Sequence, residues 1–161
     1  TDGELLARSM DEVAGYVSEA SPGTRTLFWD DMVNPYHDER QDQWYGRQDG
    51  TTPCGDETGP HCGMTTTGLQ NVTDKSIGWM NWFYTPTPAI QETVAQQARL
   101  GFSTIGCPEY DVATIKDWLS ALKKAGKAGL GVIDTDWGRT LEGLEPTASL
   151  AWNAANTTVV E

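Results

Sequence analysis

The sequence predicts an α/β fold built from parallel strand–helix units, and three observations carry that prediction. Apolar residues recur at helical spacing in several stretches, short runs rich in strand formers lie between them, and Gly, Pro, Asn or Asp marks each junction. The strand-like runs are apolar enough to be covered on both faces, as when helices cross over a parallel sheet.

Residues Glu4 to Ala20 place Leu6, Met10, Val13 and Val17 at steps of three and four, and Ser21-Pro22-Gly23 ends that helix. Arg25 to Met32 reads as a strand that runs into Asp30 and Asp31, then into the turn signal Asn34-Pro35. A second run, Ser76 to Tyr84, leads through Thr85-Pro86-Thr87-Pro88 into a helix with Ile90, Val94 and Ala98 on one face, closed by Gly101. Phe102 to Cys107 is the third strand, and Pro108 to Asp111 is its polar loop. Val112 to Ala125 follows as a helix with Ile115, Leu119 and Leu122 as its stripe. Asp111 suits its N-terminus, Lys123 and Lys124 suit its negative end, and Gly126 stops it. Leu130 to Asp134 is the fourth strand, Thr135 to Arg139 its loop, and a last helix starts near Pro146 with Leu150 and Trp152.

One connection departs from this cadence. Residues 33–75 hold no helical stripe, although structureless connections beyond ~15 residues are uncommon unless functional or disordered. They carry Trp44, Tyr45, His37 and the loop Cys54 to Cys62, and read as a loop insertion over a site, pinned by a Cys54–Cys62 disulfide. A competing reading uses Cys54, His61 and Cys62 as a metal clip, with His37 as fourth ligand, but structural zinc pairs are usually more tightly spaced. Cys107 lies in an apolar stretch and is expected to be a buried thiol. A disulfide implies an oxidising compartment, hence an extracellular or secretory location. Asn71-Val72-Thr73 and Asn156-Thr157-Thr158 fit the glycosylation triplet, a pattern common enough by chance to carry no argument alone. Thr1 opens the chain without a basic-then-apolar leader, so any signal peptide is expected to lie outside this sequence.

Composition excludes some functions. The 161 residues hold 23 acidic and 11 basic side chains, a net charge of −12 with no Lys/Arg cluster, which argues against nucleic acid as a partner. No apolar run reaches the ~20 residues of a membrane-spanning helix. Seven Trp and a charged fraction of 21% argue against disorder. A phosphate-cradling Gly loop, a GxSxG elbow and an HExxH helix are all missing, and the chain's two His both fall in the long loop, so a nucleophile–His triad is not expected.

In parallel α/β folds ligands bind beyond the carboxyl ends of the strands. Those ends carry Trp29, Asp30 and Asp31; Asn81, Trp82 and Tyr84; Glu109, Tyr110 and Asp111; and Asp134, Asp136 and Trp137. Each pairs an aromatic ring with a carboxylate or amide. A sugar offers an apolar C–H face to such rings and a rim of hydroxyls to such carboxylates, so the pattern points to carbohydrate. Against this, Trp29, Trp79 and Trp137 could serve the core, since Trp is mostly buried in any fold. Hydrolysis of a glycosidic bond wants two carboxyl groups ~5 to 9.5 Å apart. Asp30 and Asp31 cannot supply both from one strand, whose successive side chains point to opposite faces; a pair drawn from Asp30 or Asp31 with Asp134 or Asp136 is geometrically allowed. The same acidic groups leave open a site for a hard cation such as calcium or magnesium.

The runs Leu27-Phe-Trp-Asp-Asp-Met32, Gly78-Trp-Met-Asn-Trp-Phe-Tyr84, Gly101-Phe-Ser-Thr-Ile-Gly-Cys-Pro-Glu-Tyr110 and Gly131-Val-Ile-Asp-Thr-Asp-Trp-Gly138 resemble the later strands of a glycoside hydrolase (β/α)8, or TIM, barrel of the β-N-acetylhexosaminidase-like group, family 20 and its relatives. The resemblance implies that Trp29, Trp82 and Trp137 wall the pocket for a terminal sugar, and that Asp30 or Asp31 and Tyr84 hold its hydroxyls. It also implies that the family's catalytic Asp-Glu pair, which follows the fourth barrel strand, lies outside this chain, whose strands match the fifth to eighth. A whole barrel takes ~250 residues, so residues 1–161 are expected to be its C-terminal half, with 33–75 as the insertion. Such a half would need the missing N-terminal half or a second copy to cover its open edges. The expected function is therefore the sugar-binding half of a hydrolase of terminal sugars, N-acetylhexosamine among them, with Trp29, Asp30, Asp31, Trp82, Tyr84, Glu109, Tyr110, Asp134, Asp136 and Trp137 on the substrate and no cofactor. Alternatives are a non-catalytic carbohydrate-binding module and a metal-dependent α/β hydrolase or lyase.

Overall fold

The computed structural model describes residues 2–36, 68–138 and 141–156. The Cys54–Cys62 pairing, the ligand sets with His37 and His61, and the placing of Trp44, Tyr45 and Arg139 lie outside the described residues. The chain is α/β. Helices α1 (Asp2–Ala20), α2 (Ala89–Arg99), α3 (Val112–Ala125) and α4 (Leu144–Asn156) alternate with strands β1 (Leu27–Trp29), β2 (Gly78–Asn81), β3 (Ser103–Gly106) and β4 (Gly129–Val132). The strands form one parallel sheet in the order β1-β2-β3-β4. The chain divides into two compact units, Thr1–Trp79 and Met80–Glu161.

Each strand is shorter than its apolar run, because turn chemistry intervenes at the ends. After Trp29, the Val33 N–H reaches back to the Asp30 carbonyl (2.8 Å), closing a turn where the sequence had suggested strand as far as Met32. Before β2, the Asp74 carboxylate accepts the Ser76 N–H (2.9 Å) and hydroxyl (2.7 Å), which delays the strand to Gly78.

In the first unit α1 packs through Ala7, Met10 and Ala14, while Val13 is 45% exposed. The expected stripe is thus turned toward small residues. The reason is the close approach of the 3-10 turn Gly68–Asn71: a Cβ on Gly68 would stand 3.0 Å from Val33 Cγ1 and 3.2 Å from the Gly3 carbonyl oxygen. Leu69, Val72, Val33, Ile77 and Trp79 are the other large apolar residues buried in this unit. A carboxylate fastens the unit on its surface. Asp11 accepts the Thr73 N–H (3.0 and 3.1 Å), the Thr73 hydroxyl (2.7 Å) and the Asp74 N–H (3.0 Å). Burial alone would raise the Asp11 carboxyl, but these donors and the Lys75 charge hold it below its ordinary value.

In the second unit α2 ends as Gly101 predicts. With φ of +85°, Gly101 donates to the Ala98 carbonyl (3.0 Å) and Phe102 to that of Gln97 (2.9 Å), the paired bonds of a Schellman cap. Asp111 caps α3, accepting the Thr114 N–H (2.7 Å) and hydroxyl (2.6 Å), so it serves the helix. Those bonds hold its carboxyl below the ordinary range. The core gathers Phe83, Ile90, Val94, Trp118, Ala121 and Leu122, with Val132 packed against it. Two glycines let α3 lie on the sheet: Gly106 beneath the Trp118 indole and Gly129 beneath the Leu122 backbone.

Thr104 pairs with Gly129 and Ile105 with Gly131, so Leu130 is an extra residue bulged out of the ladder. Leu130 is exposed, as are Leu27 and Trp29 on β1, which corrects the expectation of cover on both faces for β4 and β1, while β2 and β3 expose no residue on either face. Here α3 covers the face bearing Gly106, Gly129 and Val132, and the bulge sets Leu130 apart from it. The last helix starts at Leu144, two residues before the expected Pro146, which sits in the first turn where a missing N–H costs nothing. Trp152, which the sequence places with Leu150 in this helix, is exposed. Cys107 is buried, as its apolar surroundings predict. Among the described residues no helix is long and apolar enough to cross a membrane.

Candidate functional site

The second unit brings its predicted residues together at the carboxyl ends of β2, β3 and β4. Backbone pairing continues past the strands and fixes the loops there. The Cys107 N–H bonds to the Asn81 carbonyl (2.8 Å), Ile133 to Gly106 (2.9 Å) and Thr135 to Pro108 (3.0 Å), and the Thr135 hydroxyl adds a second bond to Pro108 (2.7 Å). Glu109 and Tyr110 therefore stand beside Asp134 and Asp136. Together with Thr135, Glu142 and Gly143 they line an open cleft of about 180 Å³. That volume includes open solvent, so this is a shallow rim and not an enclosed pocket.

Gly143 forms the floor. A Cβ there would lie 2.9 Å from the Glu109 carbonyl oxygen and closer still to Asp134 Oδ1, so only glycine lets the segment before α4 close against both loops. The Thr147 hydroxyl donates to Asp134 Oδ1 (3.3 Å), and the Leu141 N–H donates to Asp136 Oδ2 (3.0 Å). Leu141 makes that bond at φ +59°, a left-handed conformation that a branched side chain adopts at a cost. Burial pushes the Asp134 carboxyl above its ordinary value; the Thr147 bond opposes the rise and the Asp136 charge adds to it.

The sign of that shift gives a test. A raised carboxyl binds its proton more tightly folded than unfolded, so stability falls as pH rises from the usual carboxylate value of ~4 through the folded value. Asp134→Asn keeps the acceptor for Thr147 and removes the charge. At neutral pH this variant should be more stable, by about half a kcal/mol or less because the group is partly hydrated. The difference should vanish below about pH 4. Thermal melts at both pH values check this, and a less stable variant at neutral pH would contradict it.

Beside the cleft lies an aromatic cluster. Trp82 stacks on Tyr84 with ring centroids 5.2 Å apart at 28°. The Trp137 indole N–H donates to the Tyr84 hydroxyl, although Trp137 itself is 70% exposed. Burial raises the Tyr84 phenol, hydrogen bonds with Trp137 and Thr135 oppose the rise, and the charges of Cys107 and Glu109 add to it. Tyr84 thereby joins the aromatic cluster to the acidic rim.

The remaining predicted residues belong to the first unit. Trp29 is exposed and Asp31 half-buried, whereas Asp30 is 0% exposed and accepts from Asn34 Nδ2 (3.0 Å). Asp30 thus helps hold its own turn. Of Trp29, Trp79 and Trp137, it is Trp79 that serves the core, tilted against Phe28 at 6.2 Å. Sequence reasoning missed Thr135, Glu142 and Gly143. A glycine just before a helix was the available signal for Gly143; Glu142 gave none. Among the described residues no group of three or more His, Cys, Asp or Glu is arranged to hold a metal ion. No protein-family model matches this chain, and no curated protein matches its sequence.

Proposed function

We propose that the chain is the C-terminal half of a (β/α)8 glycoside hydrolase that lends a sugar-binding rim to an active site completed by an N-terminal half. The observation that carries this reading is the convergence of Tyr84, Glu109, Asp134, Asp136 and Trp137 at the carboxyl ends of parallel strands. An exposed indole beside carboxylates suits a pyranose, whose C–H face covers the ring while its hydroxyls donate to the acids. A large ring left in water is also surface that a ligand gains by covering. The resemblance makes a terminal N-acetylhexosamine the sugar to try first, and the expected setting is extracellular. The general acid and base belong to the other half, so this chain alone binds and does not turn over.

Titration of the purified chain with chito-oligosaccharides, followed by Trp fluorescence, tests the reading. Trp137→Ala should weaken binding about tenfold, ~1.4 kcal/mol, with little change in stability. Aryl-glycoside hydrolysis should stay at background. No response at millimolar sugar would remove the reading, and turnover abolished by Asp31→Ala would place the acid/base pair in this chain. The shallowness of the cleft favours a second reading, a carbohydrate-binding module with no catalytic partner. That reading predicts the same titration and no turnover when an N-terminal half is supplied in trans.

A further inference from the structure

The segment that closes the first unit carries a motif that the sugar reading does not use. Asn71 ends the 3-10 turn Gly68–Asn71 and heads the triplet Asn71-Val72-Thr73. Asn71 is exposed, Val72 is 1% exposed, and Thr73 is exposed again. The buried valine pins the backbone so that the residues on either side face water. A bulky polar group on Asn71 would therefore displace nothing in the core. Asn-x-Thr with x other than Pro is the acceptor pattern for N-linked glycans on surface segments.

The fold adds a condition. The triplet's hydroxyl donates to Asp11 Oδ2 at 2.7 Å, and the Thr73 and Asp74 N–H groups donate to the same carboxylate, across 62 and 63 positions of sequence. These bonds exist only once α1 has docked. A transferase that reads the Thr hydroxyl in an extended segment meets it engaged in the folded unit. We propose that Asn71 is an N-glycan acceptor, modified before Asp11 closes on Thr73.

In the transfer, Asn71 Nδ2 forms a bond to C1 of a lipid-diphosphate-linked oligosaccharide. The C1–O bond breaks, the lipid diphosphate leaves with the electron pair, and the Nδ2 proton passes to a transferase base. The proposal is independent of the sugar-binding reading, so either can fail alone.

The test is translation of the full chain, behind a cleavable signal sequence, into microsomes. An Asn156→Gln background leaves Asn71 as the one remaining triplet of this kind. The lumenal chain should show a mobility shift that an endoglycosidase removes, that Asn71→Gln abolishes and that Thr73→Ser retains. The folded chain offered to solubilised transferase and donor should stay unmodified, while a peptide of residues 68–78 is modified. An unmodified lumenal chain would overturn the site, and modification of the folded chain at the peptide's rate would overturn the order of events.

Discussion

Replacing Trp118 with alanine should destabilise the second unit by ~3–5 kcal/mol, the range for a large aromatic removed from a core. Trp118 is 0% exposed and central to its cluster. It meets the Phe83 ring at 6.0 Å, lies against Gly106, and donates its indole N–H to the Phe83 carbonyl at 3.3 Å. Truncation removes the packing of Phe83, Ile90 and Leu122 together and takes one hydrogen bond from the Phe83 carbonyl. Domains of ordinary stability have only ~5–15 kcal/mol in all, so the variant should lose a large share of its stability. Urea denaturation followed by far-UV circular dichroism reads this directly, and an unchanged midpoint would refute the packing account.

Gly129→Ala should cost ~2–3 kcal/mol through overpacking, although it adds a single methyl group. That methyl would stand 2.8 Å from the Leu122 carbonyl carbon and 2.9 Å from its Cα. Both are backbone atoms of α3, so no rotamer change relieves the clash, and the helix must lift from β4. Leu122 and Val132 would then lose contact together, which links a small change at a strand end to the whole helix layer. The same denaturation experiment checks it. A shift in midpoint below a few tenths of a kcal/mol would mean that α3 moves more freely than its packing indicates.

These two positions also show what the sequence could and could not reveal. The alternation of helices and strands was legible because Ile90, Val94, Ile115 and Leu122 keep helical spacing and because Gly101, Asp111 and Gly126 sit where caps belong. The packing face of α1 was misread, since Ala7 and Ala14 face inward where a close approach demands small residues and no hydrophobicity pattern reports distance. Strand ends were misread at Asp30 and Asp74 because local carboxylate and backbone bonds compete with the ladder. Among the rim residues, Glu109, Tyr110, Asp134 and Asp136 were visible as strand-end groups that parallel topology must bring near one another. Gly143 and Glu142 belong to the segment before α4, whose return to the cleft depends on Leu141 in a left-handed conformation. No residue type announces such a turn when the residue is leucine.

The bonds from Ile133 to Gly106 and from Thr135 to Pro108 carry the ladder between β3 and β4 beyond its last strand residues. The stretches bearing Glu109 and Asp134 cannot part without tearing them. The backbone carrying those acids is settled when the chain folds, so the proposed sugar would meet a preorganised wall. Little ordering entropy is left to lose at the moment of binding.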